Sequence, residues 1–90
     1  MQLERIEVKT RDNYRGAQEP AAFGWRNHDY EVEEILDRWY EGYFDSTRVP
    51  LRYFRVKAKN GDIFTLRHNE LFAAWSLLVP ARHRETEHPS

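Results

Sequence analysis

The clearest pattern in the chain is the run Leu51-Arg52-Tyr53-Phe54-Arg55-Val56-Lys57-Ala58-Lys59, followed by Asn60-Gly61 and then Asp62-Ile63-Phe64-Thr65-Leu66-Arg67. Phe54, Val56 and Ala58 alternate with Tyr53, Arg55 and Lys57, the period of a half-buried strand. Asn-Gly between two such runs signals a hairpin. A two-residue loop would set Val56 opposite Thr65 and mix the faces. A three-residue loop, Lys59-Asn60-Gly61, sets Val56 opposite Phe64 and Phe54 opposite Leu66, so the apolar faces coincide, as burial requires. The pattern therefore predicts a type I turn with Gly61 in the left-handed region as a bulge residue. Tyr53, Arg55, Lys57, Thr65 and Arg67 fall on the outer face.

A second hairpin is predicted from Phe23-Gly24-Trp25-Arg26 and Asp29-Tyr30-Glu31-Val32. With Asn27-His28 as a two-residue loop, Trp25 faces Tyr30 and Phe23 faces Val32, and Asn tolerates the positive φ of such a turn. His28 is then a turn residue. Beyond it, Val32, Ile35, Leu36 and Trp39 have the spacing of an amphipathic helix. The same residues also continue the hairpin as a long strand if a bulge at Glu33-Glu34 returns Ile35 and Trp39 to the face of Val32. We favour the bulged strand. Leu3–Thr10 reads as a first strand with Ile6 and Val8 inward, and Ala74–Val79 as a last strand stopped by Pro80. Asn69 to Ala73 has the composition of one helical turn capped by Asn69. Residues 11–20 and 45–50 read as loops. The predicted core is Ile6, Val8, Phe23, Trp25, Val32, Ile35, Trp39, Phe54, Val56, Phe64, Leu66, Trp75 and Leu77. The fold class is all-β: a small antiparallel curled sheet or open barrel of five or six strands, closing enough to protect its faces and edges.

Composition sharpens this picture. Ninety residues allow one domain, assigned to residues 1–80, with a polar tail over 81–90 that has no apolar residue after Ala81 and is expected to be disordered. Aromatics make up 14%, heavy for this size and suited to a small core built from large side chains. Cysteine is absent, which removes disulfides, thiolate nucleophiles and cysteine-based metal sites. The first residues carry charges where a signal peptide needs an apolar run, and no stretch approaches the roughly 20 apolar residues of a membrane helix. A cytoplasmic domain with no membrane contact is expected.

Net charge is −1, but it is unevenly spread. Residues 29–45 carry Asp29, Glu31, Glu33, Glu34, Asp37, Glu41 and Asp45 against Arg38 alone, giving −6. Residues 48–68 carry Arg48, Arg52, Arg55, Lys57, Lys59 and Arg67 against Asp62 alone, giving +5. Opposite blocks adjacent in sequence are most simply neighbouring strands that pair across a ladder. The alternative is a bipolar surface whose basic face meets phosphate or an acidic partner.

The spacing Phe23-x-Trp25-Arg26-x-x-x-Tyr30-x-Val32-x-x-Ile35-Leu36-x-x-Trp39, followed by Tyr53-Phe54-Arg55-Val56, Phe64-x-Leu66-Arg67 and Trp75-x-Leu77, resembles a family of short uncharacterised bacterial proteins sometimes found with, or fused to, error-prone lesion-bypass polymerase proteins. The resemblance spans residues about 20–79. Its motifs are aromatic and apolar spacers that define a fold; they carry no catalytic or binding residue across. Many members have Gly-Arg where this chain has Asn27-His28. The resemblance implies an accessory role near DNA damage tolerance.

Candidate chemistry is sparse. His28, His68, His83 and His88 show no metal-ligand spacing, so neither metal nor cofactor is expected. Glu33, Glu34 and Asp37 lack a pocket that would tune a catalytic carboxylate. Ser46 and Ser76 have no nucleophile elbow, and no glycine spacing makes a phosphate loop. The chain reads as a non-enzymatic interaction module. Trp39-Tyr40 and Tyr43-Phe44 crowd the end of the acidic strand, and not all of these rings can face inward. Tyr40, Tyr43 and Phe44 are therefore the candidate contact residues for a protein partner or a second copy. The alternative is a nucleic-acid surface made of Tyr53, Arg55, Lys57, Lys59 and Arg67, a ring and four cations on one hairpin face.

Overall fold

The computed structural model describes residues 2–41 and 50–79. Tyr43, Phe44, Ser46 and the predicted tail over 81–90 lie outside the described residues. Six antiparallel strands follow one another in chain order: β1 (Gln2–Asp12), β2 (Gln18–Trp25), β3 (His28–Glu41), β4 (Leu51–Ala58), β5 (Ile63–Asn69) and β6 (Ala74–Val79). Each pairs with the next, and β1 pairs with β6 from Gln2↔Val79 to Ile6↔Trp75, so the sheet closes into a barrel. Closure removes the two edges that a meander of this length would otherwise expose.

The β4–β5 hairpin takes the register expected from its pattern, with Val56 opposite Phe64 and Phe54 opposite Leu66. The amide of Gly61 donates to the Ala58 carbonyl at 2.9 Å and that of Ala58 to the Asp62 carbonyl at 2.8 Å. Gly61 sits at φ +96°, the left-handed position that closes a type I turn with a bulge.

The β2–β3 hairpin turns one residue earlier than expected. Its loop is Arg26-Asn27, at φ 52° and 67°, and His28 is the first residue of β3, opposite Trp25. Phe23 therefore faces Tyr30, not Val32. The displacement is two residues of register, so the faces are unchanged: alternation cannot separate registers that differ by two. Ring packing separates them, since in this register Phe23 and Tyr30 stack with centroids 5.2 Å apart and planes 20° apart.

Residues 28–41 form a strand, not a helix, and it carries two bulges. The first, at Glu33, lies where it was expected and keeps Val32 and Ile35 inward, opposite Ala58 and Val56. The second, at Leu36, reverses the alternation, so that Asp37, Trp39 and Glu41 share the outer face. Trp39 is consequently not a core residue; it is 40% exposed. Asn69 Oδ1 accepts the Phe72 amide at 3.0 Å, the capping bond foreseen there, but residues 70–73 are a turn and not a helix.

The core is the inner face of the barrel: Ile6, Phe23, Val32, Phe54, Val56, Leu66, Leu77 and Val79 are buried. Val8, Trp25, Tyr30, Ile35, Phe64 and Trp75 pack partly buried around them. Ala58, Val79 and Tyr53 are buried without having been placed in the core from sequence.

Candidate functional site

The two charge blocks meet along β3 and β4. Asp37 stands opposite Arg55 and Glu34 opposite Lys57, while Lys59 Nζ bonds Glu31 Oε1 at 2.9 Å. Each member of this last pair shifts the other, lowering the Glu31 carboxyl and raising the Lys59 amine by hydrogen bond and charge. The side chains of both are about two thirds exposed, a geometry in which pairs contribute little stability. The pairing neutralises the surface more than it stabilises the fold.

This arrangement alters the proposed nucleic-acid face. Arg55 and Lys59 are exposed; Lys59 is paired with Glu31, and Arg55 stands opposite Asp37 in the β3–β4 register. Tyr53 was expected as an outward stacking platform. It does lie on the outer face but is only 9% exposed, because Trp39 covers it with ring centroids 5.1 Å apart and planes within 1°. Its hydroxyl donates to Glu41 Oε1 at 2.9 Å. Burial first, and then that carboxylate, hold the Tyr53 hydroxyl above its ordinary pKa, against the opposing effect of Arg67. Arg67 Nε is covered and has no hydrogen-bond partner among the described residues, so a phosphate cannot reach that nitrogen. The five residues share a face but do not form an open platform of ring and cations.

The aromatic end of β3 has the opposite character. Trp39 and Tyr40 are each about half exposed. The Tyr40 hydroxyl donates to Glu70 Oε2 at 3.3 Å, Arg52 Nε approaches the same oxygen at 3.5 Å, and the Arg52 guanidinium lies 5.4 Å from the Tyr40 ring centroid. The β5–β6 turn brings the exposed Leu71 and Phe72 to this same end of the barrel. Of the three residues proposed for protein contact, Tyr40 is among the described residues and is exposed. Trp39, assigned to the core from sequence, is exposed at the same strand end, on the outer face of the barrel.

The opposite mouth of the barrel holds a cleft of about 520 Å³, walled by Trp25, Tyr30 and Phe64, with Arg26, His28 and Asp62 on its rim. Sequence reasoning assigned Trp25 and Phe64 to core packing and Arg26 to nothing; the adjacency of Trp25 and Arg26 beside a turn was the available signal. Glu4 organises this mouth. Its Oε1 accepts the Trp25 indole N–H at 2.6 Å and Arg26 Nε at 3.2 Å, and its Oε2 accepts Arg26 Nη2 at 2.6 Å. The Arg26 guanidinium lies 4.6 Å from the Trp25 ring centroid. The Arg26 bond, then the Trp25 bond, hold the Glu4 carboxyl below its ordinary pKa. These polar groups converge on one another and not on the cleft, which makes the mouth a latch between β1 and the β2–β3 turn.

At the aromatic end, His68 lies against Trp75 at a centroid distance of 4.5 Å, and burial pushes its pKa down. No group of three metal-ligating side chains occurs among the described residues, and no helix among them is long and apolar enough to cross a membrane.

Fold and surface together define a small, closed, six-stranded antiparallel barrel with exposed aromatic residues at the end of β3 and acidic residues opposite basic ones along the β3–β4 ladder. Over residues 2–79 the chain matches, and belongs to, the family described as a domain of unknown function, DUF6504. No curated protein and no solved structure matches it.

Proposed function

We propose that the domain is a non-enzymatic interaction module that binds a protein partner through the aromatic surface at the C-terminal end of β3. The observation carrying this reading is the second bulge in β3. It turns Trp39 out of a core that needs large apolar side chains and stacks it on Tyr53 on the outer face, while Tyr40 is exposed on the other face of the same strand end. Exposed aromatics with a rigid backing are the side chains that dominate protein interfaces, since they bury large areas at little entropic cost. The acidic residues facing the cations of β4 support a protein over a nucleic acid, because a phosphate backbone laid along Arg55, Lys57 and Lys59 would run beside Asp37, Glu34 and Glu31.

The experiment pairs affinity capture with a titration against short single-stranded and duplex DNA. Captured protein is expected to stay bound at about 0.5 M salt, where the Debye length is roughly 4–5 Å, and to be lost with Trp39→Ala or Tyr40→Ala. Arg55→Glu with Lys57→Glu is expected to leave it in place. DNA binding that falls steeply with salt and disappears with the charge reversals would replace this reading by the nucleic-acid one.

A further inference from the structure

Half of the barrel wall carries no acidic residue: Leu51–Ala58, Ile63–Asn69 and Ala74–Val79 contain neither Asp nor Glu. Phe54, Val56, Leu66, Leu77 and Val79 are buried, so alternation puts Arg55, Thr65, Arg67, Ser76 and Leu78 on the outer face. Closure of the barrel then adds a neighbour from the other end of the chain. Arg67 of β5 stands opposite Ser76 on one side of β6, and Arg5 of β1 stands opposite the same Ser76 on the other. Ile6, next to Arg5, is buried, so Arg5 faces outward too. Neighbouring strands lie about 4.8 Å apart, which sets the two arginines about 10 Å apart with a hydroxyl between them. Two extended arginine side chains bridge that separation around a single anion.

Neither arginine is neutralised elsewhere. Arg26, Arg38, Arg52 and Lys59 each reach a carboxylate within 3.5 Å, whereas Arg5 and Arg67 form no ion pair among the described residues. Glu7, on the same face of β1 as Arg5, stands opposite Gly24, beyond the end of the β1–β6 ladder. Arg67 is also held in place. It is half-buried, its Nε is covered, and it lies beside the Tyr53 hydroxyl. A guanidinium already fixed loses less freedom when a ligand arrives, and the end it has left to offer is its pair of Nη atoms.

Two guanidinium forks and a hydroxyl fit an oxyanion with several free oxygens and two negative charges. A carboxylate has one charge and two oxygens. A nucleic-acid backbone offers one charge per diester and needs a track of cations, but along the strands this row is bounded by Leu3 and Leu78 on one side and Ala74 on the other.

We infer that the outer face of β1, β6 and β5 holds a terminal phosphoryl group between Arg5 and Arg67, over Ser76. The Arg5 fork and the Arg67 Nη atoms bind its oxygens, and the Ser76 hydroxyl donates to it as well. The site lies apart from the aromatic end of β3 and does not depend on what binds there. A small phosphomonoester and a phosphorylated side chain of another protein present the same group.

The test titrates isotope-labelled full-length protein at constant ionic strength with phenyl phosphate, a short phosphoserine peptide and dimethyl phosphate, following amide and arginine Nε–H signals. Saturable shifts at Arg5, Arg67 and Ser76 are expected with the first two, and binding several-fold weaker with the singly charged diester. Tighter binding of phenyl phosphate than of the peptide would identify a small-molecule source, and the reverse a protein one. Arg5 is exposed, so Arg5→Gln is expected to stay folded and to lose saturable binding. Arg67→Lys keeps the charge without the fork and is expected to weaken binding several-fold, while Arg15→Gln, in the β1–β2 turn, is expected to change nothing. The site is overturned by an absence of saturable shifts at millimolar phenyl phosphate and peptide, by unchanged binding in Arg5→Gln, or by equal binding of the diester. It is overturned as well if a short single-stranded DNA lacking terminal phosphates binds these residues more tightly than either monoester.

Discussion

Glu4 shows how much a single side chain can organise. It sits opposite Leu77 in the β1–β6 ladder, at the barrel mouth, and ties together an indole and a guanidinium whose own residue is held at positive φ. An L-residue in that conformation costs roughly 1–2 kcal/mol, so the turn at Arg26 depends on compensating bonds. Glu4→Gln is expected to lower the urea midpoint at neutral pH. Because the folded-state carboxyl titrates below its unfolded value, its contribution is complete above the ordinary carboxylate range and is lost as the pH falls from there through the lowered folded-state value. The midpoints of wild type and Glu4→Gln should therefore converge in acid; a constant gap down to pH 3 (about one unit below an unperturbed carboxylate) would refute the role. None of this was legible in sequence, where Glu4 is one charge among many. Trp25 and Arg26 were visible as neighbours, but their common partner lies on another strand.

At the scale of elements, legibility depended on whether the deciding contact was local. The β4–β5 hairpin was readable in full because Asn60-Gly61 and the parity of Phe54, Val56, Phe64 and Leu66 leave a single loop length. Gly61→Ala tests that reading: at φ +96° a Cβ is strained although nothing crowds it, so a loss of about 1–2 kcal/mol is expected by denaturant titration, with the register kept. The β2–β3 turn was readable only to within two residues, since both registers satisfy alternation. The bulge at Leu36 was not readable at all. An apolar residue there fits a helix, a regular strand or a bulge equally well, and only the stacking of Trp39 on Tyr53 across the ladder decides. The candidate site inherited this uncertainty: Tyr40 was identified as surface, and Trp39 was assigned inward.

For the whole molecule, the inner and outer faces of the barrel should respond differently to the loss of a ring. Phe54 is 1% exposed at the centre of the core, and Phe54→Ala is expected to cost about 3–5 kcal/mol, enough to unfold a domain of this size. Trp39→Ala removes a larger side chain from the outer face and should leave the protein folded, with a melting temperature far closer to wild type. Equal losses in a thermal scan would mean that Trp39 is structural, and would remove the basis for an aromatic interface. The all-β class and the inward faces of most strands were visible as alternation. Closure of the barrel was not, because no local pattern reports that the first strand finds the last.

That closing seam has a kinetic consequence. Every other strand pair joins neighbours along the chain and can form by short-range zipping, whereas β1 and β6 bring residue 2 to residue 79. Loop-closure entropy rises with the length of chain enclosed, and non-local pairing slows folding. The meander from β1 to β6 can thus assemble as a curled ribbon before its ends meet. Until they do, both outer strands remain open to pairing with other molecules, and the time spent in that state sets how prone the newly made chain is to aggregate.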